Sequence, residues 1–197
     1  MRVSGLILAA GRSSRMGRDK ALLDYRGRTF LNHLVYLALP RVDAVVAVLG
    51  HNAAGIAKTL PRTPRVRAVV NEEYDRGMLS SLQRGLQELS AGPDWILWML
   101  VDHPAVRGRT LDMLLAAAAA TDAPLVIPQV GGERGHPVVL SMAVAEELRA
   151  LDPGRSPQHV VRSHYPAACF VDISDRAVLL DIDRPGDYRD LIRPEGL

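Results

Sequence analysis

The chain has 197 residues, of which 48 % are apolar and 23 % charged, close to the average of soluble globular chains and suited to one domain of roughly 100–200 residues. Its net charge is +2, and its single cysteine, Cys169, excludes an internal disulfide framework and a multi-cysteine zinc site. The longest apolar run, Met113 to Ala120, has eight residues, far short of the roughly 18–20 that span a bilayer, and no apolar signal region opens the chain. A cytoplasmic protein without a membrane partner is expected.

In chain order, Val3–Leu8 reads as a buried strand that feeds directly into a glycine loop. Apolar residues at 30, 31, 34, 35, 38 and 39 predict a helix over Phe30–Leu39, stopped by Pro40. Val42–Leu49 is a second strand, Ile56–Leu60 suits a short helix, Val66–Val70 a third strand and Leu79–Leu89 another helix. Trp95–Val101 is the most apolar strand and stops at Asp102-His103-Pro104. Beyond it, Thr110–Ala120 predicts a helix, Leu125–Pro128 and Val138–Leu140 short strands, and Ala143–Leu151 a helix. Gly131-Gly132-Glu133-Arg134-Gly135 reads as a hairpin or lid loop. Phe170–Val171 and Val178–Ile182 are late strand candidates, and Asp187–Ile192 a last turn of helix. Strands alternating with helices in units of about 30 residues predict an α/β sheet with parallel crossovers.

Residues 1–28 carry seven Lys/Arg against two Asp, whereas basic residues are not interleaved with aromatics anywhere, so no nucleic-acid partner is expected. The basic cluster surrounds Leu8-Ala9-Ala10-Gly11-Arg12-Ser13-Ser14-Arg15-Met16-Gly17-Arg18-Asp19-Lys20. A glycine loop after a strand exposes backbone N–H groups to phosphate, and Arg or Lys side chains add cationic donors. The spacing fits neither the Walker pattern nor the dinucleotide fingerprint. A solvated basic loop is the plain alternative. Of 24 basic residues only two are Lys, which makes Lys20 stand out where composition favours Arg.

Asp102, at the end of the most apolar strand, suits a divalent cation beside phosphates, or else a turn or helix cap. Ser80 and Ser81 stand where a helix starts and suit capping as well as a nucleobase edge. His51, His103, His159 and His164 show no ligand spacing, so zinc is not expected. Cys169 reads as a small buried residue rather than a nucleophile.

The first loop resembles the signature of nucleotidyltransferases of the molybdenum cofactor cytidylyltransferase and guanylyltransferase (MobA-like) type. Gly77-Met78-Leu79-Ser80-Ser81-Leu82, Val101-Asp102-His103-Pro104, Gly135-His136-Pro137-Val138 and Leu180-Asp181-Ile182-Asp183-Arg184-Pro185-Gly186-Asp187-Tyr188 are similar to further family segments, in the same order. The resemblance implies a Rossmann-like three-layer nucleotidyltransferase fold with a mostly parallel sheet, spread over residues 1–197 as one domain. It implies transfer of CMP from CTP to the phosphate of molybdopterin, with Mg²⁺ as cofactor and release of pyrophosphate. Arg15, Lys20 and Asp102 are then catalytic, and Leu8, Ala9, Ala10, Gly11, Arg12, Ser13, Lys20, Ser80 and Ser81 bind the nucleotide. Gly135 and His136 face the acceptor. Asp102 and Asp183 hold the metal; alternate residues of a strand share a face, so Asp181 could look the same way, but the resemblance favours Asp183, immediately before Arg184-Pro185. Asp187 serves the start of the last helix.

Ala10 stands where guanylyl enzymes of this type carry a second glycine, which favours CTP over GTP. His103 departs from the family pattern and leaves the acceptor open. Guanylyl transfer, a sugar-phosphate acceptor, or a non-catalytic nucleotide- or cofactor-binding role beside a molybdoenzyme or its chaperone are the competing readings.

Overall fold

A computed structural model describes residues 1–89 and 92–193 of the chain. Strand β1 (Val3–Ala9) leads through a long loop to the hairpin of β2 (Asp24–Tyr25) and β3 (Arg28–Thr29), then to helix α1 (Phe30–Ala38). Next come β4 (Ala44–Leu49), α2 (Ala53–Ala57), β5 (Val66–Val70), α3 (Met78–Glu88) and β6 (Trp95–Leu100). Helix α4 (Gly108–Ala119) precedes β7 (Leu125–Val130), β8 (Glu133–Arg134), β9 (Val138–Ser141) and α5 (Met142–Ala150). The chain closes with α6 (Gln158–Ser163), β10 (Cys169–Asp172) and α7 (Pro185–Ile192).

The main sheet runs β10-β7-β9-β6-β1-β4-β5, with β8 hairpinned onto β7. β1, β4, β5 and β6 are mutually parallel, while β9 runs antiparallel between β6 and β7. All seven residues of β1 are buried, as a central parallel strand covered on both faces requires. Alternation along the strand divides them. Ile7 and Ala9 join α1 and α4 on one face, and Leu6 and Leu8 join α3 and α5 on the other. This is the expected three-layer arrangement. Leu6, Ile7, Leu34, Leu82 and Leu111 are fully buried, each contributing about 1.5–3 kcal/mol of transfer free energy.

Local chemistry sets the element ends. Thr29 caps α1 by accepting the Asn32 N–H at 3.2 Å, and Ser141 caps α5 by accepting that of Val144. Gly131 and Gly132, at φ +58° and +85°, form the turn between β7 and β8, so the glycine-rich stretch is a hairpin. Helix α2 begins at Ala53, three residues before the expected Ile56, and the β2–β3 hairpin and α6 add to the expected elements.

The strand expected over Val178–Ile182 is absent. Residues Arg176–Leu179 form a 3₁₀ turn, and the chain then crosses the sheet's carboxyl edge as a strap. Val178 and Ile182 are buried, which explains the apolar signal, but no neighbouring strand pairs with them. Single bonds fix the strap instead: Val178 O accepts the His136 N–H at 2.9 Å, and the Ile182 N–H donates to Asp102 O at 2.8 Å. Upstream, Asp175 accepts the Arg107 N–H and the Thr110 hydroxyl at the start of α4.

Gly135 lies against this strap so closely that a Cβ would overlap the Val178 carbonyl. Gly135→Ala should therefore displace the strap and destabilise the protein by about 1–3 kcal/mol, the usual cost of overpacking. Urea unfolding measures it; an unchanged midpoint would mean that the strap yields freely.

Candidate active site

Four parallel strands end on one side of the sheet, where the segments just past β1 and β6 line a cavity and those past β4 and β5 lie beside it. Beyond β1 comes Ala10-Gly11 and the basic loop, beyond β4 Gly50-His51-Asn52, beyond β5 Asn71, and beyond β6 Asp102. Ligands of open α/β sheets bind at such carboxyl ends. The cavity measures about 310 Å³, and Leu8, Ala9, Ala10, Gly11, Ser13 and Ser81 are among its lining residues. Arg15, Lys20, Asp102 and Asp183 line it too, as do Asp19, Tyr74, Gly77 and Met78.

The loop from Ala10 to Lys20 is anchored rather than loose. Ser13 sits at φ +52°, and its carbonyl accepts the Met16 and Gly17 N–H groups at 3.0 and 3.1 Å. Met16 is buried with Leu23, Phe30 and Ile182. The Ser13 hydroxyl accepts the Lys20 N–H at 3.1 Å and sets the start of the following 3₁₀ turn. Lys20 is thereby buried, and its ammonium donates to Asp183 while standing 3.6 Å from Asp102. Arg15 reaches the other Asp183 oxygen from an exposed position.

Asp183 thus faces the cavity, whereas Asp181 is exposed and outside its lining. The expectation of a shared face presumed a strand, which the strap is not. Asp187 Oδ2 accepts the N–H groups of Asp183 and Arg184 at 3.0 and 2.7 Å, so it starts α7 as expected and also fixes the Asp183 backbone.

Other expected residues fall elsewhere. Arg12 is drawn to Asp75, at 2.8 and 2.5 Å, lies 5.6 Å from the Tyr74 ring centroid, and does not line the cavity. It fastens the basic loop to the segment before α3. Ser80 turns inward to the Glu73 and Gly77 carbonyls, both at 2.9 Å, and of the two serines only Ser81 lines the cavity. Gly135 and His136 lie outside the lining. His136 meets Trp98 and His103 edge-on or tilted, with ring centroids 5.3 and 5.5 Å away. Burial pushes its imidazole down to about 3, with His103 adding to the effect, so it is neutral at physiological pH. Asp102 Oδ1, His103 Nδ1, His136 Nδ1 and Trp98 Nε1 are buried without a partner among the described residues.

Sequence reasoning missed Asp19 and Asn71. Asp19 accepts from Asn52 at 2.7 Å and pairs with His51 at 2.9 Å, joining the basic loop to the end of β4. Asn71 is buried and donates to the Ser80 and Ser81 hydroxyls at 3.0 Å while accepting the Glu73 N–H. For Asn71 the available signal was position, since it stands just past a predicted parallel strand, as Asp102 does.

Residues 5–168 match the family of MobA-like NTP transferase domains. The chain belongs to that family. Among its relatives, "Molybdenum cofactor guanylyltransferase" of Cereibacter sphaeroides is 32 % identical over 100 % of this chain and 97 % of its own. "Molybdenum cofactor cytidylyltransferase" of Escherichia coli is 23 % identical over 93 % and 92 %. "Nicotine blue oxidoreductase" of Paenarthrobacter nicotinovorans is 32 % identical over 92 % of each chain. Rv0371c of Mycobacterium tuberculosis, solved in complex with manganese, superposes with a TM-score of 0.82 at 27 % identity, covering 98 % of this chain and all of its own. This MobA-like domain is therefore a nucleotidyltransferase by family.

In this MobA-like site the Lys20 ammonium, through its hydrogen bond and its charge, holds the Asp183 carboxyl below its ordinary range, and Arg15 assists. A lowered carboxyl stabilises the fold fully above the unfolded value of about 3.9 and ceases to do so as pH falls through the folded value. Wild type should accordingly lose more stability between pH 5 and pH 2 than Lys20→Met, read by urea unfolding across that range (about the window such a carboxylate spans). Neutral His136 adds a loss below about pH 6.5 that both proteins share. Parallel curves would detach Asp183 from Lys20.

Proposed function

We propose that the chain transfers CMP from CTP to the phosphate of a molybdopterin-type acceptor and releases pyrophosphate. The observation that carries this reading is the buried Lys20 ammonium between Asp102 and Asp183, on the wall of a cavity opened by the glycine loop. A phosphate group could engage that cation, and a divalent ion the two carboxylates. In the reaction, backbone N–H groups around Gly11 and Ser13, with Lys20 and Arg15, would hold the triphosphate, and Ala9, Ala10 and Ser81 would border the nucleoside.

Asp102 and Asp183 suit a divalent ion. One Asp102 oxygen is buried without a partner among the described residues, and Mg²⁺ typically takes one or two carboxylates together with phosphates and water. When bound, Mg²⁺ would neutralise charge on the reacting phosphates; the manganese-bound relative is in keeping with a divalent ion here. No general base is needed. A phosphate monoester has a second pKa of about 6 and is already a nucleophile at neutral pH. Lys20 would move from its carboxylates toward the pyrophosphate as charge grows there, so positioning and electrostatics supply the catalysis.

His136, neutral and half-buried next to His103, suits a neutral hydrogen-bonding part of the acceptor better than its phosphate. The work would take place in the cytoplasm. Among the described residues no helix is long and apolar enough to cross a membrane.

Asp102→Asn is nearly isosteric and should fold normally, yet turnover should fall about 10²-fold or more, as when one electrostatic contact of about 3 kcal/mol is lost. Pyrophosphate release at saturating CTP and Mg²⁺ measures it, and a wild-type rate would remove Asp102 from the mechanism. The same assay separates transfer from the redox activity named for the Paenarthrobacter relative, which releases no pyrophosphate.

The second reading is guanylyl transfer, favoured by the name of the Cereibacter relative. Against it stands the methyl of Ala10, buried in the cavity wall. Ala10→Gly should shift preference toward GTP by roughly 1–3 kcal/mol, the worth of one methyl-sized contact. If wild type already uses GTP as well as CTP in the presence of the acceptor, the cytidylyl assignment fails.

A further inference from the structure

A second depression of about 1290 Å³ shares no lining residue with the nucleotide cavity. It is bounded by the β2–β3 hairpin, the turn before α4, the strap and the end of α7. Apolar side chains form its floor, among them Leu180 and Ile192, which are 43 % and 49 % exposed. Arg26, Arg107 and Arg176 stand around it.

Among the described residues the charge at this rim is only partly neutralised from within. Among the described residues neither Arg26 nor Arg176 has a carboxylate partner; Arg26 lies over the Tyr25 ring at 5.1 Å. Arg107 is 3.8 Å from Asp175, whose oxygens already accept the N–H groups of Arg107 and Ala177 and the hydroxyl of Thr110. Asp24, the other lining carboxylate, is exposed. Burial, then Arg26, then Arg28 hold the imidazole of the half-buried His33 below its ordinary range.

Arg26 also occupies a place that an arginine rarely takes. It is the first residue of the two-residue β2–β3 turn, at φ +55°, followed by Gly27 at +77°. Such turns favour Asn, Asp or Gly at that position. A side chain kept in a disfavoured backbone conformation, with no carboxylate partner among the described residues, is a reason to look for a ligand.

Size and chemistry together choose the occupant. Small-molecule sites usually enclose roughly 300–1,000 Å³ and bury most of their ligand, whereas this groove is larger and its leucine and isoleucine are half in water. We propose that it docks an acidic, leucine-bearing segment of a partner protein, with carboxylates on Arg26 and Arg176 and apolar side chains on Leu180 and Ile192. The partner would touch the strap three residues before Asp183, so docking and the nucleotide site share one piece of backbone. The proposal stands apart from the choice of nucleotide or acceptor.

The test uses short fluorescent peptides built from glutamate and leucine at helical and at extended spacings, with lysine replacing glutamate in the controls. At least one acidic peptide should bind wild type, and no basic counterpart should. Arg176→Glu should weaken that binding about tenfold or more, as removal of an interfacial charge pair does. Arg26→Gly is the decisive variant. It relieves the turn and should unfold no earlier than wild type, yet bind the peptide more weakly, while pyrophosphate release stays at the wild-type rate. No binding by any acidic peptide at millimolar concentration, or equal affinity for wild type and both variants, overturns the proposal. Displacement by inorganic pyrophosphate alone would make the groove a small-anion site and overturn it as well.

Discussion

The cavity is organised by one ammonium group held between two carboxylates. Asp102 and Asp183 both approach Lys20 Nζ, whose charge offsets the repulsion between two carboxylates on one cavity wall. At an effective dielectric constant near 20, a unit charge pair at 4 Å is worth about 4 kcal/mol, large compared with any neutral contact in the site. Arg15 adds less. Its side chain is 67 % exposed against 11 % for Lys20, and exposed pairs are typically worth about 0–1 kcal/mol. The arrangement is poised rather than inert, because an incoming phosphate group would compete with the carboxylates for the same ammonium.

The strap keeps those charges in register. It has no ladder of its own, so its position depends on a few bonds at intervals: Asp175 to the start of α4, Val178 to His136, Ile182 to Asp102 and Asp187 to the strap's own end. The Asp102 carbonyl receives the Ile182 N–H while its carboxylate faces Lys20. One residue thus ties the carboxyl end of β6 to the segment that carries the second carboxylate. The same bonds hold His136 beneath Val178, which gives Gly135 a packing reason distinct from any ligand.

Much of the architecture could be read from periodicity, because continuous apolar runs such as Val3–Leu8 and Trp95–Val101 are what doubly covered parallel strands require. The loop of Gly11 to Lys20 and the carboxylate of Asp102 were legible for the same reason: they come directly after such runs. Failures came where burial is not periodic. Val178 and Ile182 are buried by a crossing segment, and their apolar spacing imitates a strand. Arg12 looked like a phosphate ligand because its charge was visible and its partner, Asp75, lay far along the chain. The role of Asp19 depends on contacts with His51 and Asn52 that no local spacing announces, whereas Asn71 had only its place just past Val66–Val70 to mark it.

Lys20 and its carboxylate partner Asp183 are separated by 163 positions, nearly the whole chain. During synthesis, which delivers the N-terminal part first, the glycine loop and the seven-residue β1 are complete long before the strap exists. Until Asp183 arrives, Lys20 has Asp102 alone beside it, and the loop is a cationic cradle lacking half of its counter-charge. The docking of the strap therefore does more than close the fold, since it brings the basic loop the second of the two carboxylates that flank Lys20.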